Sequence, residues 1–330
     1  MSENNNQKSR VAQLALRSAM SGIGAVEQPE FVEFALGAGA VSANHAWVVV
    51  LEQCERSLGP VLLWAQKFDA TSIDIFVVSD AGIVSRRAQL FDQDIRVWLV
   101  ADKQVARAES EPVMPSLAVP NTHEQFAPII GESGADVVRE HGVLSGEVMG
   151  LEVCRVVIDG NDNTPRLEIG VGAHDRETFQ MLHGKVATLE SLIKVVNIVR
   201  GHRQSGAEHH PLNRLAAERL LRHRLIVEPQ LVGASSLHAV EPPVQRLNVK
   251  DAVPCCASGM TEDGAQIVVV CTASVDVDVV SFAADARARI APDAQLVIAT
   301  HTNNVTPSLE KLAKSLRIPA RFVQVAPVVR

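Results

Sequence analysis

AWVVVLEQCERSLGPVLLWAQKFDATSIDIFVVSDAGIVSRRAQLFDQDIRVWLV, residues 46–100, alternates short apolar runs with segments of helical spacing. Residues 46–51 are continuously apolar, as a strand buried on both faces must be, and residues 58–68 carry Leu58, Leu62 and Ala65 at the spacing of one helix face. A strand over 73–78, a helix over 83–91 and a strand over 95–100 complete a βαβαβ rhythm. Strands separated by helices of this length predict a parallel sheet with right-handed crossovers. No strand-to-helix turn here has the glycine spacing of a dinucleotide or P-loop site, and Gly37-Ala-Gly-Ala40, which precedes a strand, reads as a turn. Upstream, Phe31, Phe34, Ala35 and Ala38 follow helical spacing that Gly37 and Gly39 would end. Residues 11–20 predict a short helix, and the first ten residues a disordered tail.

Working outward in the other direction, Pro112, Pro115 and Pro120 mark residues 109–120 as a linker, and Pro242-Pro243 marks a second. From residue 267 the first rhythm returns as strand 267–273, helix 279–290, strand 296–299, helix 306–316 and strand 321–325. The fold class expected is α/β: two βαβαβ modules with parallel sheets flanking a central α+β segment with an antiparallel hairpin. The divisions are a tail at 1–29, a βαβαβ domain at 30–108, a central domain at 121–228 and a second βαβαβ domain at 245–330.

The composition is that of a globular protein: 330 residues, 47% hydrophobic and 21% charged. The five cysteines include no C-x-x-C pair, so neither a disulfide framework nor a zinc site is expected, and Cys154 and Cys271 read as buried small hydrophobes. Tyrosine is absent and aromatics are 4%, which argues against a stacking platform for single-stranded nucleic acid. With no apolar run of about 18 residues and no secretory signal at MSENNNQKSR, a cytoplasmic protein without membrane contact is expected. Symmetric self-association is expected from a mean hydropathy of +0.11 and from the prevalence of homo-oligomers.

The charge of −7 is unevenly spread: residues 194–224 hold seven Lys or Arg against two acids, +5, leaving −12 elsewhere. Such asymmetry points to an anionic partner, with Arg200, Arg203, Arg214 and Arg222 as candidate nucleic-acid contacts, or to a solvated basic helix face. The helix expected over 212–225 turns its leucines inward and its arginines outward. His202, His209, His210 and His223 lack the spacing of a metal set. Asp276 or Asp278 either faces a pocket beyond a strand end or caps the helix over 279–290.

Function is most legible in the stretch EVMGLEVCRVVIDGNDNTPRLEIGVGAHD, residues 147–175. Residues 151–158 predict a strand with Glu152, Cys154, Val156 and Ile158 on one face and Leu151, Val153, Arg155 and Val157 on the other. Asp159 to Pro165 is a cluster of turn formers, after which residues 166–171 return as an antiparallel strand with Arg166, Glu168 and Gly170 on one face. A strand over 136–140 precedes the hairpin, and helices over 176–182, capped by Asp175, and 189–200 follow it.

Residues 122–200, with a helix over 122–133 at their start, resemble the core of the PD-(D/E)XK nuclease superfamily. In that core, acids on two strands and a nearby lysine hold a divalent cation. The resemblance implies Glu152 and Glu168 as metal-binding catalytic acids, Glu124 or Glu132 as an auxiliary acid, and Mg²⁺ or Mn²⁺ as cofactor activating a water. The motif lysine is replaced by Gly170, and Arg166 matches it in charge but not in proton transfer. Two functions follow: a nucleic-acid-associated protein with a degenerate, metal-binding nuclease-like core, or a non-enzymatic scaffold or regulatory module acting through protein contacts.

Overall fold

The computed structural model describes residues 2–25, 28–102, 104–160, 162–183, 188–204, 206, 210–248 and 250–327. The chain forms two compact units, one of residues 1–113, 276–285 and 306–321 and one of residues 114–275, 286–305 and 322–330. Helices are combined with three sheets, which places the protein in the α/β class expected.

The first unit begins with helix α1 (Ser2–Gly22), which starts where an unstructured tail was expected. Its six-stranded sheet has the order β1 (Glu30–Phe34), β2 (Gly37–Ser42), β3 (His45–Val50), β4 (Ser72–Val77), β5 (Asp94–Ala101), β6 (Gln104–Arg107). Strands β3, β4 and β5 are parallel, with α2 (Leu58–Ala65) and α3 (Ala81–Ala88) between them in sequence, as the rhythm predicted. The sheet is mixed rather than parallel throughout, because β1–β2–β3 and β5–β6 are antiparallel. The helix expected from Phe31 to Ala38 is a hairpin instead. Gly39 does not end a helix; a Cβ there would lie 2.5 Å from Cη2 of Trp64, so the position admits only glycine. Ala12, Leu16, Ala19 and Met20 of α1 pack on Trp47, Val49 and Phe76 of the sheet. Asp278, read as facing a pocket or capping the helix over 279–290, is buried, and its Oδ1 accepts from the backbone N–H of Gly59 in the first turn of α2 and from the Ser281 hydroxyl.

The second unit opens with α4 (Asn121–Glu124) and α5 (Ala127–Glu132), where one helix was expected. Pro128 lies in the first turn of α5 and cannot donate into a continuous helix. Four strands then form an antiparallel meander in the order β10 (Pro165–Ile169), β9 (Leu151–Ile158), β8 (Val143–Val148), β7 (Asp136–Glu140). Its first two turns, His141-Gly142 (φ +51° and +72°) and Met149-Gly150 (φ +48° and +78°), have the paired positive φ of two-residue hairpins.

Helix α6 (Gly172–His183) starts four residues before the expected site, so Asp175 sits in its first turn. Helix α7 (Leu189–Arg203) is closed at its start by a Thr188–Ser191 capping box. The helix expected over 212–225 is a single 3-10 turn at Pro211–Arg214 followed by α8 (Ala217–Val227). A third sheet has the order β11 (Ala234–Val240), β12 (Cys255–Thr261), β13 (Gln266–Thr272), β14 (Gln295–His301), β15 (Ala320–Val325), with α9 (Val279–Ile290) and α10 (Pro307–Lys314) intervening in sequence. Strands β13 and β14 are parallel, but β11–β12–β13 is antiparallel. All five cysteines are buried and free, as read for Cys154 and Cys271. No helix among the described residues is long and apolar enough to cross a membrane.

Candidate functional site

The antiparallel meander has one apolar and one charged face. Leu144, Cys154, Val156, Leu167 and Ile169 join Ile130 of α5 and Leu192, Val196 and Val199 of α7 in one core. The opposite face carries the rung Val138, Ser145, Arg155, Glu168, read across all four strands from the pairing register.

The position of Glu152 departs from the expected alternation. Between β8 and β9 the register passes from Gly146 opposite Cys154 to Glu147 opposite Glu152, so Val153 is an extra residue, a β-bulge. Strict alternation grouped Glu152 with Cys154 and Val156; the bulge turns it instead to the side of Arg155, whose Nε and Nη2 donate to Oε1 and Oε2 of Glu152, each at 2.8 Å.

Glu152 and Glu168 therefore do face the same side. Arg176 of α6 stands between them, its Nη1 3.1 Å from Glu152 Oε1 and its Nε 3.3 Å from Glu168 Oε2. Arg166 reaches the other oxygen of Glu168 at 2.7 Å and approaches Asp159 at 3.2 Å. A divalent cation needs free carboxylate oxygens, and every oxygen of this pair already meets a guanidinium. Glu124 does not join them, because it forks with Arg139 at 2.8 Å through both oxygens, and Glu132 is exposed. Among the described residues no three His, Cys, Asp or Glu side chains come together as a possible metal set, so the donors do not fit Mg²⁺ or Mn²⁺. His209 lies outside the described residues; His202 stacks on His210 at 3.8 Å, and His223 bonds Asp136 at 3.0 Å.

The four arginines read as candidate nucleic-acid contacts divide into two groups. Arg200 and Arg214 are exposed, Arg200 donating to Gly134 O at 2.7 Å. Arg203 is 0% exposed and gives its hydrogen bonds to the carbonyls of Met149, Leu212 and Leu215, and burial holds its guanidinium down at about 10. Arg222, also placed outside by sequence, is 1% exposed. Helix α8 explains this inversion: Leu221 and Leu225 pack into the core of the third sheet, which turns Arg219 and Arg222, three apart, toward the meander. There Arg222 donates to Glu140 at 2.5 Å and to Glu147 at 3.0 Å, and Arg219 donates to the same two acids. Burial opposes the charge on Glu140, but Arg222 and Arg219 outweigh it and hold the carboxyl at about 2. Gly150, in the turn against α8, sets this approach, since a Cβ there would lie 2.6 Å from Leu220 N.

Over the charged face lies a pocket of about 160 Å³. Its charged lining is Arg155, Arg176, Arg219 and Arg246 with Glu140 and Glu152, and Glu168 and Glu147 pair with Arg176 and Arg219 from behind it. His141 is also in the wall, its ring held below the usual histidine range by burial against the opposing pull of Glu241 and Glu140. Gly172 and Ala173, the first two residues of α6, line it as well. Arg246 differs from the other three in forming no ion pair among the described residues; its Nη1 is buried without a hydrogen-bond partner, as is Nε of Arg176, and burial, followed by repulsion from Arg219, lowers its hold on the proton. The Nε2 of His141 is likewise buried and unpartnered. Of these residues sequence reasoning singled out only Glu152. The arginines of α8 gave a signal in their i, i+3 spacing beside leucines, while Arg246, alone in a polar segment after Pro242-Pro243, gave none.

Comparison with protein-family models, with curated proteins and with solved structures gives no match for this chain.

Proposed function

We propose that the second unit is a non-enzymatic binding module for an anionic group, held in the arginine-lined pocket. The observation that carries this reading is Arg246, which lines the pocket and, unlike Arg155, Arg176 and Arg219, forms no ion pair among the described residues. A guanidinium stays ionised in any ordinary setting, and a buried donor left unpaired costs roughly 1–3 kcal/mol, more when charged. An anion that accepts from Arg246 relieves that cost, and the positive end of the α6 dipole, at Gly172 and Ala173 in the wall, favours it further.

Thermal unfolding with sodium sulfate against sodium chloride at matched ionic strength tests the reading. Sulfate raises Tm in the native protein by mass action and does not in Arg246→Gln, whereas equal curves for the two salts would refute it. A metal-dependent, nuclease-like function keeps one supporting observation, that Glu152 and Glu168 share Arg176 on one face. Its mark in the same assay is a rise with Mg²⁺ or Mn²⁺ that Glu152→Gln removes. Because arginines fill both carboxylates, we expect no such rise.

A further inference from the structure

Cys255 of β12 and Cys271 of β13 stand directly opposite each other in an antiparallel pair, and both belong to the core that Leu221 and Leu225 of α8 help to build. We propose that these two thiols are a redox couple: a peroxide oxidises them to a cross-strand disulfide at moments when α8 lifts from the sheet, and a dithiol reduces them back. This is a covalent modification site, and it stands apart from the anion-binding reading.

Position singles out this pair among the five cysteines. Residues directly opposite on antiparallel strands have Cα atoms roughly 4.5–5.5 Å apart, within the roughly 4.4–6.8 Å that a disulfide spans. Cys256 falls on the other face of β12, opposite Val270, and Cys154 is paired with Gly146 and Ile169 in the meander. The two thiols are also unlike, which suits an attacking and a resolving partner. Burial opposes ionisation of Cys255, but the hydrogen bond from Cys271 and the charges of Arg222 and Arg219 outweigh it and hold the thiol below its ordinary value. That hydrogen bond, with burial, keeps Cys271 protonated, its thiol well above the ordinary value. The Cys255 thiolate attacks one oxygen of the peroxide, the O–O bond breaks, and a sulfenic acid forms as hydroxide leaves. The Cys271 sulfur then attacks that sulfur: the S–S bond forms, the S–O bond breaks, and the Cys271 proton departs with the hydroxyl as water. With hydrogen peroxide, two thiols and one peroxide give one disulfide and two waters. Cys255 is 1% exposed and Cys271 0%, so the reagent meets them through an opening of their cover, which Leu221 and Leu225 supply from α8.

Hydrogen peroxide added to the reduced full chain, followed by unfolding in an alkylating reagent, tests the assignment. Alkylated thiols are expected to fall from five to three, five less the two that join. Cleavage at Glu262 or Asp263, between the two cysteines, is expected to leave the flanking fragments linked until dithiothreitol is added. Cys256→Ala keeps the linked product, whereas Cys255→Ala and Cys271→Ala each lose it. An unchanged count of five in the native chain, a loss of thiols with no linked fragments, or a link that persists in Cys255→Ala overturns the couple. The rate of linkage is expected to rise about twofold or more for each molar of urea added below the unfolding transition, because the reacting form exposes surface beneath α8. A rate indifferent to urea overturns the part given to that helix.

Discussion

Glu140→Gln preserves the shape of the side chain and removes its charge at the centre of the buried network. Glu140 is 8% exposed, and its two oxygens accept from Arg222 and Arg219. Its carboxyl is held at about 2 against an ordinary 4.5. That gap of about 2.5, at about 1.4 kcal/mol for each step of one, makes the folded state roughly 3 kcal/mol more stable at neutral pH than it would be without the pull of the arginines. Loss of one partner from a buried charge set costs about 3–5 kcal/mol in other proteins, which agrees. Urea unfolding at pH 7 is therefore expected to show Glu140→Gln less stable by about 3 kcal/mol. Because the folded-state value is depressed, the native contribution is complete above the unfolded value and is lost as pH falls toward the folded one. The gap between native and variant proteins should thus narrow between about pH 5 and pH 2. The same substitution removes one of the two carboxylates in the pocket lining and leaves Arg219 less compensated, so the less stable variant should respond more strongly to sulfate. A cost below about 1 kcal/mol, or a gap unchanged by acidification, would refute the view that Glu140 balances the two arginines.

Two further outcomes follow from the same geometry. Gly150→Ala should destabilise by about 2 kcal/mol or more in urea unfolding, since φ is +78° and the added Cβ would press on the backbone of α8 at Leu220. Arg203→Ala should cost about 3 kcal/mol by leaving the carbonyls of Met149, Leu212 and Leu215 without their donor, while Arg200→Ala and Arg214→Ala should stay within about 0.5 kcal/mol of the native protein.

What the sequence disclosed follows from where each element lies. Strands β3, β4 and β13 read clearly because strands buried on both faces become nearly continuous apolar runs, interrupted in β4 by Asp74. Strands β1 and β2 did not, because Phe31, Phe34, Ala35 and Ala38 match helical spacing while the glycines that mark a close-packed strand also mark helix ends. Strand β8 was missed although its bounding dipeptides, His141-Gly142 and Met149-Gly150, are turn signals; neither is the Asn-Gly or Asp-Gly that announces a hairpin. The candidate site was less legible still. An arginine is exposed by default, and only Glu140 and Glu147, some 70 to 80 residues distant in the chain, make it affordable to bury Arg219 and Arg222.

The bulge at Val153 shows why a site of this kind escapes a reading by periodicity. In Leu151-Glu-Val-Cys154 alternation assigns Glu152 to the face of Cys154, which is part of the apolar core beside Gly146 and Ile130. A carboxylate left there would be ionised in an apolar layer with no partner, a position that costs several kcal/mol or forces it to protonate. One extra residue on β9 removes the conflict, bringing Glu152 opposite Glu147 and beside Arg155 and leaving Val153 to the core. Two acids opposite each other on adjacent strands repel, so the bulge is tolerable only because Arg155 and Arg176 hold Glu152, and Arg219 and Arg222 hold Glu147. Three of these four arginines, Arg155, Arg176 and Arg219, also line the pocket, with Arg246 added from a different segment. Backbone irregularity, buried ion pairs and the excess of positive charge in the wall are thus one arrangement, and the sequence records it only as an acid in a row of apolar residues.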